Sequence, residues 1–97
     1  GENWPHKEKV HAAMVARLDR DVGRVLALLE ELNLAGNTLV FFSSDNGAVA
    51  RRDGLFDSAG PFRGQKGAQH EGGLRVPMLV RWPGSIPAGR VSDAPWY

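Results

Sequence analysis

Between His6 and Leu32 the apolar residues Val10, Met14, Leu18, Val22, Val25, Leu26, Leu29 and Leu32 return at steps of three and four. That period puts most of them on one face of a long amphipathic helix, which must pack on something. Pro5 suits the first turn, and Glu8 stands near the positive end of the helix dipole. Lys9, Arg17, Arg20, Asp21, Arg24 and Glu31 fall on the opposite face and read as solvated surface. Gly23 interrupts the helix and marks either a close approach by another backbone or a tolerated glycine.

The stretch Asn33 to Asn37 ends the helix, with Gly36 available for a left-handed turn. Thr38, Leu39, Val40, Phe41 and Phe42 then form a continuous apolar run, which predicts a strand buried on both faces, as in parallel sheets covered by helices. The helix-turn-strand order matches half of a βαβ unit. A second strand is predicted from Arg75 to Trp82, with Pro77 at an edge, at its start or in a bulge, because proline lacks a ladder donor. The intervening residues 43–74 show no helical periodicity, and a loop that long inside a domain is either functional or disordered. After Trp82, the residues Pro83, Gly84, Pro87, Gly89 and Pro95 punctuate turns. One long helix and two strands leave a sheet face with nothing to cover it, so the chain reads as a piece of a larger α/β domain.

Composition narrows the function classes. At 97 residues the chain holds at most one ordinary domain. Its 12 Lys+Arg against 11 Asp+Glu give a net charge of +1, which provides no electrostatic footprint for nucleic acid. The absence of cysteine removes disulfides, zinc-thiolate sites and a cysteine nucleophile from these residues. No apolar run approaches the ~20 residues of a membrane-spanning helix, and Gly1 to Val10 is polar with a proline, unlike a secretory signal. A soluble piece without a membrane partner is expected.

The densest chemistry lies at the carboxyl end of the first strand, in Ser43, Ser44, Asp45, Asn46 and Gly47. In open α/β sheets, ligands sit at that end of the strands, where the loops diverge. Asp45 offers a carboxylate and Asn46 a neutral carbonyl oxygen, the donors that hard cations such as Ca²⁺ and Mg²⁺ favour, while Gly47 permits a sharp turn. Taken alone, Asn46-Gly47 fits a hairpin turn equally well. Further on, after Arg51, Arg52 and Asp53, Lys66 stands among Gly64, Gly67, Gly72 and Gly73, where main-chain amides can approach a ligand and the ammonium suits an oxyanion such as phosphate or sulfate. The spacing is not a Walker A loop, and by itself the segment reads as a glycine-rich surface loop with a solvated lysine. His70 reads as a surface or hydrogen-bonded residue, His6 and His11 as outside any cofactor site, and Trp4, Trp82 and Trp96 as packing or turn anchors.

Taken together, "AAMVARLDRDVGRVLALLEELNLAGNTLVFFSSDNG" and "FRGQKGAQHEGGLRVPMLVRWPGSIPAG" closely resemble the later part of the catalytic domain of type I sulfatases, the arylsulfatase-like members of the alkaline phosphatase superfamily. The resemblance runs from about Ala12 to Tyr97 and rests on the order and spacing of D-N-G, K-G and E-G-G-x-R-x-P. It implies an α/β sandwich with a mixed, mainly parallel sheet, of which residues 1–97 form a partial catalytic domain without the nucleophile-bearing N-terminal portion. It also implies that Asp45 and Asn46 are Ca²⁺ ligands, with Mg²⁺ the lesser alternative, and that Lys66 is catalytic and contacts the sulfate ester. The family's nucleophile is a hydrated formylglycine whose oxygen attacks sulfur and expels the alcohol, followed by elimination of inorganic sulfate.

The departures are omissions. Formylglycine arises from a Cys or Ser opening a C/S-x-P/A-x-R motif, and neither Ser58 before Ala-Gly-Pro nor Ser92 before Asp-Ala-Pro completes it. Two oxygen donors fall short of the ~6–8 that Ca²⁺ takes. The expectation is therefore a sulfuric ester hydrolase acting on a sulfated small molecule or glycan, whose 97-residue piece is inactive alone. The alternatives are a phosphate or phosphonate ester hydrolase of the same superfamily and a non-catalytic, self-associating module. The resemblance further implies a periplasmic, secreted or lysosomal setting.

Overall fold

A computed structural model describes residues 3–49 and 55–95. Arg51, Arg52, Asp53 and Trp96 lie outside the described residues. Helix α1 runs His6–Glu31, strand β1 Val40–Ser43, helix α2 Glu71–Leu74 and strand β2 Met78–Arg81, with a 3₁₀ turn at Ala35–Asn37.

Helix α1 forms over the predicted residues, with Pro5 as its N-cap at φ −55° and its carbonyl accepting from the N–H groups of Glu8 and Lys9. The polar face is solvated as expected. Arg17, Arg20 and Arg24 surround Asp21 at 3.4–3.7 Å, and such exposed pairs contribute little to stability. The helix ends differently from the expectation. Asn33, not Gly36, takes the left-handed conformation, at φ +55°. Its N–H donates to the Glu30 carbonyl, while that of Leu34 reaches back to Leu29 at 2.8 Å, which closes a Schellman motif. Asparagine tolerates this region better than other non-glycine residues, so Gly36 is left to the 3₁₀ turn. Gly23 has nothing within 4 Å of the place where a Cβ would stand, so no backbone approaches it and it is simply a tolerated glycine.

The two strands pair antiparallel, with Phe42 opposite Leu79 and Phe41 opposite Val80. Pro77 stands just before β2, where its missing donor interrupts no ladder bond. Parallel pairing is not found between these two strands. Nor is β1 buried on both faces: Val40 and Phe42 are half-buried, whereas Phe41 keeps 49% exposure. Helix α1 covers only one face of the ribbon, across an apolar groove of about 410 Å³ lined by residues including Leu18, Val22, Leu26, Phe42 and Leu79. The groove is bridged at one end by the Arg81–Glu30 ion pair at 2.6 Å and by the Trp82 indole N–H on the Gly36 carbonyl at 2.9 Å.

Among the described residues, Ala35 is the one buried hydrophobic residue. The radius of gyration is 16.3 Å, against about 13 Å for a typical domain of ~100 residues. The shape is open, and apolar side chains such as Leu18, Phe41 and Leu79 stay about half exposed or more. Trp4 packs edge-on against Phe56 at 5.0 Å, and Trp82 ties its turn by its indole N–H on the Gly36 carbonyl and by its main-chain carbonyl, which accepts from the N–H groups of Ser85 and Ile86, so both act as the packing and turn anchors expected of them.

Candidate functional site

Strand β1 ends at Ser43 and, after the intervening Ser44, delivers Asp45 and Asn46. The Ser44 hydroxyl donates to the Asn46 carbonyl at 3.0 Å, which curls the backbone sharply. This is not a hairpin, since the partner of β1 is β2, far along the chain. The Asn46 amide nitrogen donates to the Gly47 carbonyl at 3.2 Å, an assignment that turns its Oδ1 into the atom available to an electrophile. Asp45 is exposed and Asn46 half-buried.

Three separated segments meet behind these donors. The Gly47 N–H donates to the Gly73 carbonyl at 2.9 Å, and the Lys66 N–H donates to the Ala48 carbonyl at 2.8 Å. The D-N-G, K-G and E-G-G motifs are thereby stitched together through main chain. Glycine is required at the seam: a Cβ on Gly47 would sit under 3.0 Å from the backbone of Gly72 and Gly73, and one on Gly73 would strike the carbonyls of Gln65 and Ala68. Lys66 opens a turn completed by Gly67 at φ +88°, and its side chain is exposed.

Sequence reasoning missed helix α2 and the cluster it organises. Glu71 and Arg75, one turn apart, form an ion pair through Oε2 and Nε, and the Arg75 guanidinium lies over the Phe62 ring at 4.7 Å from its centroid. The four-residue spacing of Glu71 and Arg75 was the available signal. Such a short helix escapes a search for periodicity. His70 is its N-cap residue, exposed and without a side-chain cap bond, with its Cβ against Gly64. His11 tilts against Phe56 at 5.7 Å, so both histidines belong to packing and loop geometry.

A carboxylate and an amide oxygen are hard donors that fit Ca²⁺ or Mg²⁺. Among the described residues no group of three or more His, Cys, Asp or Glu residues is placed to hold a metal. No helix among the described residues is long and apolar enough to cross a membrane.

The family model described as Sulfatase matches residues 6–96. The chain is 51% identical over 86 residues to a steryl-sulfatase of Mus musculus, covering 84% of this chain and 14% of that protein. It is also 51% identical over 81 residues to an N-acetylgalactosamine-6-sulfatase of Sus scrofa, covering 80% of this chain and 15% of that protein. The crystal structure of Ps i-CgsB in complex with k-i-k-neocarrahexaose superposes with a TM-score of 0.77 at 39% identity, over 91% of this chain and 19% of that one. The chain therefore spans between 14% and 15% of the length of these curated relatives.

Proposed function

The chain belongs to the sulfatase family, and from that membership we propose that the full-length protein hydrolyses sulfate monoesters, with Asp45, Asn46 and Lys66 as this chain's contribution to the site. The observation that carries the reading is the Lys66 N–H bond to the Ala48 carbonyl at 2.8 Å, which tethers the one lysine of the glycine-rich loop beside the Asp45-Asn46 donors.

The chemistry follows from the substrate. A sulfate monoester carries a single negative charge spread over its terminal oxygens. Asp45 and the Asn46 Oδ1 would hold a divalent cation, Ca²⁺ before Mg²⁺, which when bound withdraws charge from a sulfate oxygen. Lys66 donates to the substrate as the S–O bond breaks and charge grows on the bridging oxygen. It therefore interacts more strongly with the transition state than with the ground state. The main-chain seam at Gly47 and Gly73 keeps the two contributions in register.

No cysteine occurs here, and neither Ser58 nor Ser92 opens the required motif, so the formylglycine nucleophile and the remaining metal ligands belong to residues outside this chain. Residues 1–97 then form a later part of the catalytic domain, whose mixed, mainly parallel sheet supplies the layers that cover the open faces of α1 and β1. That reading accounts for the bare apolar surface without a self-associating module.

The alcohol half of the ester is a sterol or a sugar in the names of the relatives, and the superposed structure holds a neocarrahexaose. Those likenesses support a sulfated small molecule or a sulfated glycan as substrate, while no observation favours phosphate or phosphonate esters. The deciding assay compares turnover of an aryl sulfate and an aryl phosphate by the full-length protein. Preference for sulfate supports the reading, and preference for phosphate overturns it.

A further inference from the structure

We propose that Arg75, held between the Glu71 carboxylate and the Phe62 ring, is a positioning residue that closes the base of the 62–75 loop and so fixes the backbone from which Lys66 reaches the substrate. The inference rests on the sulfatase reading of Lys66 and extends it to side chains that do not touch the ester.

The loop leaves at Phe62 and returns at Arg75, and those two side chains meet face-on at 4.7 Å. Just inside them, the Gly72 N–H donates to the Arg63 carbonyl at 2.8 Å, and Gly72 has no room for a Cβ against the Gly64 carbonyl. The base of the loop is therefore closed by one side-chain contact and one main-chain bond. Near its tip, the loop is held to the D-N-G segment by the Lys66 N–H. Between base and tip lies Gly64, at φ +87°, and just past Lys66 lies Gly67, at φ +88°; glycines of this kind do little to restrain the chain themselves. Lys66 takes part in none of the ion pairs found among the described residues, so among them it is the backbone that sets where its side chain starts. Opening the base would leave the tip held to the D-N-G segment by the Lys66–Ala48 bond and, through the packing of Gly73 against Gln65 and Ala68, by the Gly47–Gly73 bond; misplacement by ~1 Å of a group that stabilises the transition state costs ~10²-fold in rate.

The test uses the full-length enzyme, aryl sulfate kinetics, thermal midpoints and bound-metal analysis. Arg75→Ala and Phe62→Leu are expected to lower kcat by ~10–100-fold with KM and metal content little changed, the signature of a displaced transition-state donor. Phe62→Tyr keeps the ring face that the cation needs and is expected to retain kcat within about twofold. On a Lys66→Ala background neither Arg75→Ala nor Phe62→Leu should slow the enzyme further, because both act through the lysine. Equal losses on both backgrounds would overturn the proposal, as would wild-type kcat in Phe62→Leu. If Arg75→Ala does not fold, the Phe62→Leu and Phe62→Tyr pair decides. A slow Lys66→Ala beside normal Phe62 and Arg75 variants removes only the positioning role. A wild-type Lys66→Ala removes the reading beneath it.

Discussion

The Gly47 N–H donates to the Gly73 carbonyl across 2.9 Å, and neither glycine has room for a side chain. This close approach joins the end of the first strand to the short helix before the second. It gives two motifs far apart in sequence one rigid reference frame, in which an oxygen-donor pair and a lysine are held on neighbouring backbone.

Lys66→Ala in the full-length enzyme is expected to lower kcat by ~10²–10³, the scale for losing one transition-state donor, with folding and metal content retained. Lys66→Arg should also be slow, because its larger planar fork carries the charge elsewhere. Steady-state kinetics with parallel metal analysis checks both, and a near-wild-type Ala variant would return Lys66 to a solvated loop residue.

The 97 residues alone are expected to show no turnover of an activated aryl sulfate above a protein-free blank. Their missing nucleophile and partial donor set are the reason. Activity that persists through repeated purification would contradict this.

Asp45→Ala is expected to weaken divalent-metal binding by the full-length enzyme and to lower its activity, partly recoverable with excess Ca²⁺. A chelator should inactivate the wild type reversibly. Metal titration by calorimetry reads the change directly, and unaltered affinity in the Ala variant would remove Asp45 from the metal shell.

Two glycine substitutions should move stability in opposite directions. Gly23→Ala adds a methyl in open space on a helix and is expected to stabilise by ~0.5–1 kcal/mol. Gly73→Ala drives a Cβ into the Gln65 and Ala68 carbonyls and is expected to cost ~1–3 kcal/mol, with loss of activity as the seam opens. Denaturant midpoints of the full-length variants measure both.

At the helix end, Asn33→Gly should be neutral or mildly stabilising, whereas Asn33→Ala is expected to cost ~1 kcal/mol because its Cβ disfavours the left-handed conformation held at φ +55°. The same unfolding curves decide. Equal midpoints for the two variants would show that the Schellman turn tolerates either residue.

Helix α1 and both strands were legible in the amino-acid sequence because periodicity and apolar runs report neighbours a few residues apart, which the chain settles locally. The D-N-G, K-G and E-G-G spacing likewise pointed to the sulfatase family without coordinates. Pairing direction was not legible, since an apolar run such as Thr38 to Phe42 is compatible with either ladder until its partner is known. Glycine roles were not legible for a related reason. Gly23 fitted a close approach and a tolerated glycine equally well, and Gly36 was the glycine available for the left-handed cap, but what stands opposite a glycine is a tertiary fact, and Asn33 could take the cap instead. The Phe62–Arg75–Glu71 cluster and the Gly47–Gly73 seam belong wholly to the folded chain, where contacts between residues distant in sequence are chosen by packing.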